Sequence, residues 1–170
     1  MTLEEISAIF DEINWKHTYK KEDDVIVSIG GNSTSNIMLF TRLSEDGEMF
    51  DMSGRIINDE GEQLSTKESK HIAPLMAYLL LRNYETKFGT WEFSKESGIV
   101  SYAVEIPLED NKLTAKQLKR ITSMMNSSGD EADNIKHILE HGSLPLDGDE
   151  AAKKIAELEA MLAQLQGSGI

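Results

Sequence analysis

Residues 70–106 read KHIAPLMAYLLLRNYETKFGTWEFSKESGIVSYAVEI, and the fold of the chain turns on how this stretch divides. Ile72, Leu75, Met76, Leu79 and Leu80 recur at the spacing that gathers side chains on one helical face. Ala73, Ala77, Tyr78, Leu81 and Tyr84 widen the apolar arc beyond the stripe of an ordinary surface helix, so this helix is expected to be covered on most sides. Ser69 stands where a cap would start it, and Thr66 upstream leaves the start open between the two. Pro74 falls near the first turn, where a missing N–H matters least. From Gly89 onward the period changes to two. Trp91 and Phe93 alternate with polar neighbours, Ser94-Lys95-Glu96-Ser97-Gly98 reads as a turn, and Val100, Tyr102, Val104 and Ile106 alternate again until Pro107 stops the strand. A helix followed by a β-hairpin is the centre of the domain.

Upstream, Leu3, Ile6, Ile9, Phe10 and Ile13 form an apolar stripe on a helix that Thr2 can cap, with Glu4 and Glu5 at the positive end of its dipole. Trp15, His17 and Tyr19 alternate with polar residues as a short strand would. Three longer strand-like runs follow at Val25–Ile29, Asn36–Leu43 and Glu48–Ile57, separated by Gly30-Gly31-Asn32 and Glu45-Asp46-Gly47. Such short spacings favour an antiparallel meander. Downstream of the central hairpin, Thr114 caps a helix carrying Leu118, Ile121, Met124 and Met125. Ser127-Ser128-Gly129-Asp130 interrupts it, and residues 131–141 are helical again with Gly142 in the position of a C-terminal glycine cap. The expected class is α+β: an antiparallel sheet in the order helix-β-β-β-helix-β-β-helix over residues 1–142, followed by a C-terminal amphipathic helix.

The last piece differs in character. Residues 143–150 contain Pro145 and Gly148 and read as a linker. Residues 151–166 are rich in Ala, Glu, Lys, Leu and Gln, and Ile155, Leu158, Leu162 and Leu165 fall at the a and d positions of two heptads. Two heptads are too short to hold a helix alone in water. The seam is therefore expected to dock on a partner surface, and these four residues are the partner-binding candidates. Residues 167–170 read as a flexible end.

Composition narrows the functions. Seventeen basic residues against thirty acidic ones give a formal charge of −13, which repels nucleic acid and anionic membrane surfaces and suits basic protein partners. No run of eighteen apolar residues offers a membrane span. The acidic, amphipathic N-terminus has neither the basic start nor the apolar run of a signal peptide. With no cysteine there is no disulfide framework and no thiolate ligand or nucleophile, and the simple location is cytoplasmic.

The motifs that could carry chemistry are weak. Asp133, His137 and His141 lie at i, i+4 and i+8 of one helix, a spacing that could offer zinc or nickel two imidazoles and a carboxylate. Two histidines near a helix C-terminus also complement its dipole, and that structural reading is preferred. Gly30-Gly31-Asn32-Ser33-Thr34 has neither the lysine nor the following helix of a phosphate-binding loop and reads as a turn. Asp59-Glu60-Gly61-Glu62 lacks the ligand spacing of a calcium loop. The carboxylates form no distinctive pair for acid–base work. Met76, Met124 and Met125 fit core positions better than an adaptable binding face. No catalytic residue, cofactor site or metal site is assigned.

The order of elements, together with RNYETKFGTWEFSKESGIVSYAVEIPLEDNKLTAKQL, resembles the YbjN-like domain family, labelled bacterial sensory-transduction regulators and similar in fold to class I type III secretion chaperones. The most specific part runs from Asn83 through Phe88-Gly89 to Ile106-Pro107-Leu108. The resemblance covers residues 1–142 and implies a non-enzymatic, often dimeric domain, with no catalytic residues to carry over. The expected function is thus a protein-binding module, chaperone-like or regulatory, that docks client segments on its sheet and helix surface. The alternative is an assembly or scaffold subunit joined through the C-terminal heptad helix, and the third is a small metal-dependent enzyme. The expected partners are proteins, including a second copy of the chain as a homodimer.

Overall fold

A computed structural model describes residues 1–31, 36–58 and 60–144 of the chain. Helix α1 (Leu3–Glu12) leads into strands β1 (His17–Lys20), β2 (Val25–Gly31), β3 (Asn36–Ser44) and β4 (Met49–Ile57). Helix α2 (Ile72–Glu85) then precedes β5 (Thr90–Ser94) and β6 (Ile99–Pro107), and α3 (Ala115–Ser128) and α4 (Ala132–His141) follow. The strands form one antiparallel sheet in the order β1-β2-β3-β4-β6-β5. The α+β class stands. The expected order gains a strand in front, because the His17–Lys20 alternation pairs with β2.

Period-two patterning sorts the sheet's side chains into two faces. One face presents the cross-strand row Ile26, Thr41, Met52, Val104 and the row Ser28, Leu39, Gly54, Tyr102, Trp91. All of these are buried. Over them pack Leu3, Ile6 and Phe10 of α1 and Leu118, Ile121 and Met125 of α3. The opposite face carries Val27, Ile29, Met38, Phe40 and Ala103 with the polar side chains between them. The Arg55 guanidinium lies 4.5 Å, and that of Arg42 5.9 Å, from the Phe40 ring centre.

Two helix starts are built as the sequence suggests. Thr2 accepts from Glu5 N while the Glu5 carboxylate accepts from Thr2 N, and Thr114 and Gln117 repeat the arrangement at α3. α2 differs. Its N-cap is His71 with no side-chain cap. Ser69, expected to serve, instead accepts from His71 N at 3.1 Å and donates its hydroxyl to Leu139 O at 3.2 Å, so it ties the start of α2 to the end of α4. Gly142 ends α4 in the left-handed conformation (φ 75°) against the His71 ring, where a Cβ would have no room.

Candidate protein-docking face

α2 is held by one side only. Leu75, Tyr78 and Leu79 are buried, and α4 packs against this side. The Tyr78 hydroxyl donates to the Glu131 carboxylate, which also accepts from Arg82, and Asn134 Nδ2 donates to the Tyr78 oxygen at 3.0 Å. Burial, and next the neighbouring Glu131, push the Tyr78 phenol far above its ordinary range. Arg82 further pairs with Glu85 at 2.8 Å. These contacts set α4 antiparallel to α2, with Glu131 beside the last turns of α2 and Gly142 beside its first.

The corner after α2 is equally built. Asn83 Nδ2 donates to Trp91 O at 2.9 Å, and Trp91 N donates to Asn83 Oδ1 at 2.6 Å. One amide thus satisfies both outward backbone groups of Trp91 and closes the edge of β5 at that residue. Backbone pairing by another segment is blocked at this point of β5. Gly89 holds φ +83° where a Cβ would collide with the Tyr102 hydroxyl, and that hydroxyl donates to Phe88 O. The Asn83 to Gly89 segment singled out in the sequence is a structural corner.

The other side of α2 is open. Met76 is 45%, Leu80 72% and Tyr84 86% exposed, and Phe88 just beyond the helix is 41% exposed. Met76, Leu80 and Tyr84 stand four residues apart on one face, flanked by exposed Ala73 and Ala77. The helix expected to be covered on most sides is covered on one. Met76, read from the sequence as core filling, and Leu80, placed there on the main apolar face, stand with Tyr84 on the open side; the over-wide arc was the signal, its inner half filling the core and its outer half without cover among the described residues. Below Phe88 an open cleft of about 320 Å³ runs between Lys87, Thr90, Glu92 and Glu105. Partial burial, and then the charge of Glu105, raise the Glu92 carboxyl above the usual carboxylate range.

The His137 and His141 rings lie 4.4 Å apart between centres, tilted 55° to each other, at the end of α4. His17 lies on Phe10 at 5.1 Å and bonds Ser7 Oγ and Trp15 O. Among the described residues no group of three or more His, Cys, Asp or Glu stands where it could hold a metal ion, and no helix is long and apolar enough to cross a membrane. The tail candidates Ile155, Leu158, Leu162 and Leu165, the linker beyond Leu144 and the end at 167–170 lie outside the described residues.

Compared with known proteins, residues 2–135 match the YbjN family, described as "Putative bacterial sensory transduction regulator". The chain belongs to the YbjN family. Among the curated proteins none matches. Among solved structures, the chain is similar to one in the structure of the HopA1-SchA chaperone-effector complex, at 15% identity and a TM-score of 0.44, over 72% of this chain and 80% of that one. The YbjN match stops short of the heptad tail.

Proposed function

We propose that this YbjN domain is a non-enzymatic protein-binding module, regulatory or chaperone-like, and that the outer face of α2 is its docking surface. The observation that carries the reading is the Met76, Leu80, Tyr84 stripe, exposed on a helix whose other side is anchored by the Tyr78–Glu131–Arg82 cluster. A helix placed rigidly with a row of large apolar side chains outward is an anchor for a partner's apolar residues. The net charge of −13 on the whole chain favours basic partners and hinders acidic ones. A second copy can use the same face, since a twofold axis would bring the two stripes together. A cytoplasmic location goes with this reading for a chain without cysteine.

Light scattering at high micromolar concentration should give a dimer mass for the parent chain. The double variant Leu80→Glu with Tyr84→Glu should be monomeric there, its self-association weakened more than about tenfold, or ~1.4 kcal/mol, with an unchanged circular dichroism spectrum. Equal masses and equal capture of partner protein by parent and variant would remove α2 as the docking surface.

A further inference from the structure

The described chain leaves the fold beside the very helix whose outer face is bare. α4 runs antiparallel to α2 and ends at Gly142, packed on His71 at the first turn of α2, with Ser69 bonded to Leu139 O. Beyond Leu144 come residues 145–154 and then the aliphatic seam Ile155, Leu158, Leu162, Leu165. As a helix that seam would be about 15 Å long, and the outer stripe of α2 from Ala73 to Tyr84 is about 16 Å long. The intervening residues reach up to about 33 Å when extended, more than a return along α2 requires.

The chemistry of the two surfaces matches as well. Residues 72–81 contain no charged residue, so the contact patch itself is apolar and suits an aliphatic seam. Ala73 and Ala77 leave room beside Met76 and Leu80, the alternation of small and large side chains into which a facing helix can set its own.

We propose that residues 151–166 fold back as a helix on the outer face of α2 of the same chain, parallel to α2, and occupy it until a partner displaces them. The regulatory part rests on the docking face proposed above. The tail then sets a threshold for binding. It competes at the high effective concentration a short tether provides, about millimolar, and a partner must outbid it. Weakening the seam strengthens partner binding, the opposite sign from weakening α2.

The native chain has no cysteine, so engineered thiols report contact without interference. Leu80→Cys paired with Leu162→Cys should oxidise to an intramolecular disulfide that migrates as a monomer. Arg42→Cys with Leu162→Cys, on the far face of the sheet, should not. In a second measurement, alkylation of Leu80→Cys alone should be about tenfold slower than in the same variant carrying Leu158→Glu and Leu162→Glu, the factor for a face open one-tenth of the time. A disulfide-linked dimer from the first pair would assign the tail to another chain and overturn the proposal. So would similar yields from both pairs, or no disulfide together with equal alkylation rates. Failure of the docking face is seen separately: Leu80→Glu with Tyr84→Glu would leave self-association and partner capture unchanged while the Leu80–Leu162 disulfide still formed.

Discussion

α2 and α3 are both fourteen residues long, yet they are opposites. α3 buries Leu118, Ile121 and Met125 and turns Lys116, Lys119, Arg120 and Ser123 to solvent, under a full capping box. α2 has no side-chain cap and turns Met76, Leu80 and Tyr84 outward. A helix that only completes a core needs one apolar stripe, as α3 has. The second stripe on α2 is not used by the core of the described residues, and there each of its large side chains forgoes roughly 1.5–3 kcal/mol of burial. The contrast separates residues that make the domain from residues that serve its surroundings.

The sharpest test of that separation uses neighbours in sequence. Leu79 is 3% exposed and Leu80 72%. Leu79→Asp places an unpaired carboxylate in the core, at a cost of several kcal/mol, comparable with the whole stability of a domain. It should not fold, as Leu118→Asp in α3 should not. Leu80→Asp should fold with the parent's circular dichroism spectrum and lose no more than about 1.4 kcal/mol, the tenfold bias of the docked tail. Circular dichroism and urea unfolding measure all three, and equal losses at 79 and 80 would erase the distinction between the two sides of α2.

A smaller effect is expected at the corner that fixes the open face in space. Asn83→Ala leaves the outward N–H and C=O of Trp91 without the amide that closes them, a loss of about 2 kcal/mol. Because the same change frees the edge of β5, it should also speed hydrogen exchange at the Trp91 amide. A melting temperature and exchange rate both equal to those of the parent would mean that α2 is held by its apolar side alone.

Much of this was legible in the residues. The alternation of Trp91 and of Val100, Tyr102 and Val104 with polar neighbours marked the core face of the central hairpin, and all four are buried. Thr2 and Thr114 announced their helices, and Gly142 the end of α4. These signals are local, fixed by spacing and by backbone chemistry. Ser69 was misplaced because its competing partner, Leu139 O, lies seventy residues away. The open face of α2 was hidden for a related reason: an apolar arc records that a surface prefers to be covered, not which molecule covers it. Nor could spacing show that Asn83 would close a strand edge, since its partner backbone carries no mark in the sequence.

The smallest expected effect probes the anchored side of α2 through Tyr78. Its phenol is buried and donates to Glu131, and both conditions oppose ionisation, with Asn134 and Arg82 offsetting a part. In the unfolded chain a tyrosine ionises near pH 10. The folded value lies higher, so between the two the unfolded state holds fewer protons and stability falls as pH rises. The contribution of Tyr78 is therefore complete below about pH 10 and is lost progressively above it, with a slope of at most about 1.4 kcal/mol per pH unit. Tyr78→Phe removes this dependence together with the hydrogen bonds. The stability advantage of the parent over the variant should stay level from pH 7 to 9 and shrink between pH 10 and 11 in urea unfolding. Tyr102, whose phenol is also raised by burial, is present in both chains and cancels. An advantage that stays constant through pH 11 would show that the phenol titrates freely, and that α2 is less firmly seated on α4 than a rigid docking face requires.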